Sequence, residues 1–410
     1  MPSQKFDLIV FGATSFVGEI LCRYLVSEYG VDGQVRWAAA GRSREKLEKL
    51  RSSLGSEADQ LELLTADAGD ESALKKLCDQ TRVIISTVGP YALHGEPLVR
   101  VCVTTGTDYC DLAGEVQWVR RMISRYEDTA RETGARIVHC CGFDSIPSDM
   151  GVWHLQQAAQ SRFGESCDTV RMRVKAMRGS ASGGTIASIL NITKEAAGNP
   201  ELRKELSNPY SICPAGHGFD TRQYNVTTPE FDSESRQWAA PFIMAGINTR
   251  VVHRSNALGG NAYGKAFRYD ESMLMGKGTK GRLRATGLVL GLGAFLAGAA
   301  VKPTRWLMKN YLLPKPGEGP SPEAQKNGFY DIRFFGKTAS GERLRSKVTG
   351  DLDPGYGSTS KMLAQSGLSL AFDVDKSQKG GGFWTTATIF DQRLIDRLEK
   401  NAGLTFTILD

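Results

Sequence analysis

The sequence predicts an α/β protein in which a doubly wound parallel sheet precedes a second, mixed α/β (α+β) domain. Three observations carry this. Residues 6–18 read FDLIVFGATSFVG, an apolar strand, a glycine-rich turn and a helix start. Short apolar strands then alternate with helical stretches as far as Cys141, the order a parallel sheet with crossover helices requires. At 410 residues the chain is too long for one ordinary domain. The expected division is 1–150, 151–375 and a C-terminal segment 376–410 that packs back on the first domain.

The opening turn is built to approach a pyrophosphate. Gly12 permits a tight turn, Ser15 is small enough for close approach, and Gly18 lets helix pack on strand. The residues between them, Ala13, Thr14, Phe16 and Val17, place a helix N-terminus with unpaired N–H groups beside the phosphates. The second strand, Gln34–Ala40, runs into Gly41-Arg42-Ser43-Arg44-Glu45-Lys46. An acidic residue there would hold the ribose 2′-hydroxyl of NAD. Arg42, Ser43 and Lys46 stand there instead, and cations with a hydroxyl suit a 2′-phosphate. The expected cofactor is therefore NADP(H), bound by a Rossmann domain.

Helix Glu45–Leu54 follows, then a third strand, Leu61–Ala66, ended by Asp67 where an adenine amino group could be met. After a short helix at Leu74–Asp79, a fourth strand at Arg82–Val88 ends in Thr87, Val88, Gly89, Pro90 and Tyr91, the place for the nicotinamide half of the cofactor. A helix at Val99–Thr105, strands at Thr107–Leu112 and Arg136–Cys141, and a polar helix from Val116 to about Gly134 complete the sheet. Farther on, Gly328–Gly336 and Glu342–Gly350 flank a hairpin turn, Ser358–Leu370 and Asp391–Ala402 read as helices, and Leu313–Pro322 as a loop.

Composition excludes several classes. The chain is 41% hydrophobic and 23% charged, as a well-cored globular protein is. Its net charge of +6 is spread along the chain, so no nucleic-acid partner is expected; an anionic cofactor, an acyl-carrier or CoA-linked substrate, or an anionic membrane surface fits it. Eight cysteines form no CxxC pair and histidine is sparse, so no metal site is expected and the thiols read as buried and reduced in a cytoplasmic protein. MPSQKFDLIV lacks the pattern of a signal peptide. One stretch departs from the soluble pattern. Ala285–Val301 holds 17 residues without a charge, with Lys277, Lys280, Arg282 and Arg284 before it and Lys302, Arg305 and Lys309 after it. As a helix it would be roughly 26 Å long, just short of a hydrocarbon core of about 30 Å. A buried helix, a peripheral lipid-surface anchor and a transmembrane span are the three readings.

Several segments together resemble one known family. They are Gly12–Gly18, Gly41-Arg42, STVGPY at 86–91, TDYCDLAGE at 107–115, GFDSIPSD at 142–149, Gly183-Gly184-Thr185, Gly317-Glu318-Gly319-Pro320 and DPGYGSTSK at 353–361. In this order they are similar to the saccharopine dehydrogenase-like oxidoreductases, closest to the branch that includes the trans-acting enoyl reductases. The similarity spans nearly the whole chain. It implies NADPH-dependent reduction of a C=C bond in a lipidic, carrier- or CoA-linked acyl chain, and the apolar segment has a counterpart in lipid-droplet-associated relatives; a homodimer is expected separately. Ser15 departs from the glycine of many relatives.

Reduction of an enoyl thioester needs a held nicotinamide, a donor to the enolate and a proton source. The Ser–Tyr–Lys site of short-chain dehydrogenases is excluded, because the chain's one Tyr-x-x-x-Lys, Tyr311–Lys315, contains Pro314. Tyr91 is the first choice as donor or acid, with a ring packed on the cofactor edge as the alternative. Asp144 and Ser145 could orient substrate or simply make a turn. Asp111 and Glu115 read as ties to backbone amides, and His94 is the one histidine near the crevice, with an exposed helix-start histidine as its commoner reading. An imine reductase of the saccharopine type would need converging arginines. Arg171, Arg173 and Arg178 are the candidates, although their alternation reads as a solvated face. A non-catalytic NADP-binding protein at a membrane or lipid surface is the third reading.

Overall fold

A computed structural model describes residues 4–31, 33–179, 183–308 and 319–409. Its strands are β1 (Phe6–Phe11), β2 (Trp37–Gly41), β3 (Glu62–Thr65), β4 (Thr81–Ser86), β5 (Asp108–Asp111), β6 (Arg136–Val138), β7 (Cys167–Arg178), β8 (Glu230–Asp232), β9 (Gln237–Pro241), β10 (Arg268–Gly276), β11 (Phe329–Thr338), β12 (Arg343–Gly350), β13 (Gly382–Trp384) and β14 (Leu404–Ile408). They form two seven-stranded sheets, each within one compact unit.

The first unit comprises 1–143, 317–319 and 355–402. Its sheet is parallel throughout, in the order β13-β6-β5-β4-β1-β2-β3. β1 and β2 are buried at every residue, which is why they read as unbroken apolar runs rather than alternating ones. β1 lies between β2 and β4, with Leu8 facing Trp37 on one side and Val83 on the other. The chain reverses its direction of travel across the sheet between β1 and β4, and a ligand crevice forms at such a switch point, outside the strands' carboxyl ends.

Part of this unit comes from far along the sequence. The helix Gly357–Phe372 packs on β1, β4 and β5 and on the helices Phe16–Tyr29 and Gln392–Asn401, and of its residues only Lys361 and Phe372 are not buried. Arg136 fastens it. The Arg136 guanidinium is buried, donates to Asp108 Oδ2 at 3.0 Å, and also donates to the carbonyls of Val374 (2.6 Å) and Leu370 (2.8 Å) at that helix's end. The expected division at residue 375 is thus corrected: 355–372 belongs with the first sheet, and 403–410 leaves it as β14. β13, in the Gly380–Thr386 stretch that carried no strand expectation, adds an edge beside β6.

The second unit comprises 144–316, 320–354 and 403–410, so it begins a few residues before the expected 151. Its sheet runs β14-β12-β11-β7-β10-β9-β8, with only β7 and β10 parallel. The helix Ile146–Phe163 packs on β7, β11, β12 and β14, and the helix Ala245–Leu258 packs on it and on β10. β12 reads RLRSKVTG with strict alternation of burial, Leu344, Ser346, Val348 and Gly350 inward, as expected of an antiparallel sheet with one solvated face.

The uncharged segment lies in the helix Gly278–Ala300, whose only buried residues are Gly281, Ala285 and Ala299. It is therefore not a core helix; Leu283 and Leu290 are 74% and 68% exposed. The loop expected at Leu313–Pro322 and the Tyr311–Lys315 and Gly317-Glu318 segments lie largely outside the described residues, while Pro322 opens a helix, Pro322–Lys326, capped by Ser321.

All eight cysteines are free of disulfides and seven are buried; burial pushes the Cys167 and Cys213 thiols up to about 12, so they are inert at neutral pH.

Removing one member of a buried ion pair leaves an uncompensated charge, at a cost of about 3–5 kcal/mol. Asp108→Asn and Arg136→Leu are each expected to lower unfolding free energy by about that amount, measured in urea, whereas exposed Lys49→Ala should leave it within about 0.5 kcal/mol.

Candidate functional site

The turn after β1 is fixed by a relay of hydrogen bonds. Gly12 has φ +88°, and a Cβ on it would stand 2.7 Å from Thr87 Oγ1. A Cβ on Gly18 would stand 2.3 Å from the Gly12 carbonyl oxygen. Both positions exclude a side chain. Thr87 Oγ1 donates to the Gly12 carbonyl at 2.9 Å, so at the 2.9 Å contact between Ser15 Oγ and Thr87 Oγ1 the serine is the donor. Ser15 Oγ in turn accepts from the Gly18 N–H at 3.0 Å, capping the helix Phe16–Tyr29. Sequence reasoning valued Ser15 for its size and missed the cap, although serine three residues ahead of a helical N–H is its usual signature.

The cap uses one of the helix's leading N–H groups and leaves others. The amides of Phe16 and Val17 find no partner among the described residues, and neither does Thr14. Ala13 is anchored to the Ala40 carbonyl at 3.1 Å. This is a cradle of backbone donors at a positive helix end, which fits a pyrophosphate.

At the end of β2, Ser43 caps the helix Arg44–Ser53 by accepting from the Lys46 N–H at 3.3 Å. Arg44 is engaged by Glu48 and by the Leu63 carbonyl. Arg42 and Lys46 are exposed and without a partner among the described residues. They are the two cations in this loop available to a 2′-phosphate. Asp67 is exposed after β3, accepting from the Gly69 N–H at 2.8 Å.

Tyr91 is buried, not poised. Its hydroxyl donates to the Ser86 carbonyl at 2.9 Å and accepts from the Leu112 N–H at 3.1 Å, and its ring packs on Trp118. The backbone N–H of Tyr91 donates to Glu115 at 2.9 Å. These bonds tie the ends of β4 and β5 together and set the Thr87–Pro90 loop, and they give its hydroxyl the geometry of a brace rather than of an acid. Asp111 behaves as its sequence context suggests, accepting from the Ala113 and Cys140 N–H groups at 2.9 and 3.2 Å. It also holds His139 Nδ1 at 2.7 Å. His94 is exposed, the commoner reading for it, and His139, just after β6, was not singled out from the sequence. Its place could be found only by knowing that β5 and β6 end side by side.

Asp144 and Ser145 belong to the second unit. Ser145 is fully buried and starts a polar chain: its Oγ donates to Asn248 Oδ1 (3.1 Å), Asn248 Nδ2 donates to Glu271 (3.0 Å), and Tyr269 donates to the other Glu271 oxygen (2.8 Å). Burial pushes the Glu271 carboxyl up to about 7. Asp144 keeps partial exposure. The arginine candidates do not form a solvated row. Arg173 is buried and spent on Asp232 (2.9 Å) and Asp270 (2.5 Å), while Arg178 is exposed and stacks over Phe329. Arg171 lies 3.8 Å from Asp270, and among the described residues these three arginines do not converge into a set for a substrate's carboxylates.

Comparison with known proteins agrees with the cradle. Residues 8–138 match the saccharopine dehydrogenase NADP-binding domain. A provisional trans-acting enoyl reductase of Mycobacterium tuberculosis is 40% identical over 410 residues, covering 96% of both chains. A trans-acting enoyl reductase of Mycobacterium bovis is 36% identical with the same coverage. The chain belongs to the saccharopine dehydrogenase-like oxidoreductases, in the trans-acting enoyl reductase branch. Apo saccharopine dehydrogenase (L-Glu forming) from Saccharomyces cerevisiae shares the fold, with TM-score 0.53 at 11% identity over 99% of this chain and 100% of that one. The cofactor of this NADP-dependent oxidoreductase is NADP(H), and the free amides at Phe16 and Val17 with Arg42 and Lys46 fit it.

A charge-assisted hydrogen bond contributes about 2 kcal/mol, or roughly 30-fold in affinity. Arg42→Ala is expected to weaken NADPH binding by that factor in a fluorescence titration and to leave NADH binding unchanged. Equal loss for both nucleotides would move the 2′-phosphate away from Arg42.

Proposed function

We propose that the chain is an NADPH-dependent enoyl reductase that saturates the C=C bond of an acyl thioester, working peripherally at a lipid surface. The observation that carries the activity is the whole-length likeness to trans-acting enoyl reductases, joined to a nucleotide cradle with free amides and two unpartnered cations.

NADPH held in this cradle would supply a hydride for the β-carbon of the enoyl group. The C=C electron pair would move onto the thioester as an enolate, and a proton from solvent, added at the α-carbon, would complete the reduction. The chain's own contribution is positional. Phe16 and Val17 amides would hold the pyrophosphate, Arg42 and Lys46 the 2′-phosphate, and the loop Thr87–Pro90, braced by Tyr91, would set the nicotinamide.

The lipid-surface reading is supported by the helix Gly278–Ala300. It is long and apolar enough to cross a membrane, with a mean hydropathy of 1.6, and only 11% of its apolar window is buried. From 277 to 308 there is no acidic residue, and Trp306 is 61% exposed beyond the helix end. An apolar helix with cationic flanks and an interfacial tryptophan suits the headgroup boundary of an anionic leaflet.

Two measurements test this. Purified protein with crotonyl-CoA is expected to oxidise NADPH, and an amino acid mixed with a semialdehyde is not; tight NADPH binding with no oxidation by any enoyl thioester would leave only the non-catalytic reading. In flotation with vesicles of phosphatidylglycerol and phosphatidylcholine, the protein is expected to rise with the vesicles and Leu283→Glu/Leu290→Glu to stay behind.

A further inference from the structure

The solvated face of the second sheet carries an arrangement that stability alone does not favour. On β11 and β12, Arg333 lies directly opposite Lys347, and Lys337 directly opposite Arg343. Phe335 sits between them, opposite Arg345 on β12 and Arg171 on β7. All of these point to the same side, because paired residues in register share a face. Like charges directly opposite one another destabilise a sheet. The acids on this face are already shared: Asp270 takes Arg171 (3.8 Å) and, with Asp232, the buried Arg173, while Asp331 takes Lys175 (3.2 Å) and Arg333 (2.8 Å), and Glu234 takes Arg343 (3.0 Å). Lys337 and Lys347 have no partner among the described residues.

The patch has a size as well as a sign. Arg333 to Lys337 is four residues, roughly 13 Å along the strand, and β7 to β12 is two strand spacings, about 10 Å. That is the footprint of one helix, whose diameter with side chains is about 10–12 Å. A concavity of about 370 Å³ at its centre is lined by Arg171, Lys337, Arg343 and Arg345 beside Phe335, with one acid, Glu234, already held by Arg343, and so offers an anionic anchor a place beside an aromatic ring. A second copy of this chain would bring the same cations against these, so the homodimer expected from the sequence would need another surface.

We propose that this face docks an acidic helix of a protein that carries the acyl chain as its thioester. The proposal rests on the enoyl-reductase reading for the identity of the cargo, and on the sheet alone for the charge of the partner. Long-range attraction of this kind acts mainly on encounter and is lost with salt.

The test is the double variant Lys337→Glu/Lys347→Glu in the full chain. Each change replaces a like-charge pair by an opposite-charge one, so its melting temperature is expected to stay level or rise. The probe is an acidic acyl-carrier protein loaded with a crotonyl group, compared with crotonyl-N-acetylcysteamine, which has the thioester without the protein. The variant is expected to lose at least tenfold in kcat/KM on the carrier-bound substrate and in carrier affinity by anisotropy, and to match the wild type on the small thioester. In the wild type, only the carrier reaction should weaken with salt. Unchanged carrier affinity in the variant would overturn the proposal, as would a loss confined to anionic vesicles. Absence of turnover on both substrates would count against the enoyl-reductase reading, while the anisotropy result would still decide the docking face.

Discussion

The first unit depends on one buried cation. Arg136 stands at the start of β6 and is enclosed on every side, yet every interaction it makes is with a group that cannot leave. Asp108 meets its charge from the neighbouring strand, and two carbonyls at the end of the helix Gly357–Phe372 meet its remaining donors. A guanidinium in such a place is tolerable only when its fork is filled. The geometry that fills it also fixes where the helix ends against the sheet, and so covers the β1, β4 and β5 surface that carries the nucleotide loops.

From that covered sheet the site follows in short steps. The carboxyl ends of β1 and β4 bring Gly12 and Thr87 together, and the Thr87 hydroxyl locks the glycine turn. Glu115, fully buried, accepts from the Tyr91 backbone N–H, and Asp111, also fully buried, gives one oxygen to the Ala113 and Cys140 N–H groups and the other to Tyr109 and His139. These carboxylates make rigid what would otherwise be free loops. Preorganisation of this sort is what a hydride transfer demands, since misplacement by an ångström is costly.

How much of this the sequence disclosed depended on whether the signal was local. β1, β2 and β4 were legible because a strand buried on both faces is a run of apolar residues. The glycine turn was legible because few other residues fit it, and Arg42 because an acid was missing beside it. What could not be read were pairings between distant segments. Gly382–Trp384 is three residues long and becomes a strand only by lying against β6. Arg173 looked like one of an exposed row until Asp232 and Asp270 closed over it. Tyr91 opens a short helix beyond the loop that follows β4, and the direction of its hydroxyl depends on Ser86 and Leu112 together. The trans-acting enoyl reductase resemblance supplied the chemistry; the fold explains how that chemistry is held.

The late arrival of the covering helix has a consequence for the protein's birth. By the time residue 143 has been made, six strands of the first sheet exist, but the helix that shields them begins at Gly357, some 214 residues later (357 − 143). At a translation speed of about 5–20 residues per second, the gap lasts roughly 10–40 s. Throughout it an apolar sheet face stands open on the ribosome, together with the leucine-rich helix of the second unit once that emerges. Exposed apolar surface of this kind is what makes folding intermediates prone to aggregate, so the separation of sheet and cover along the chain sets the interval of greatest risk.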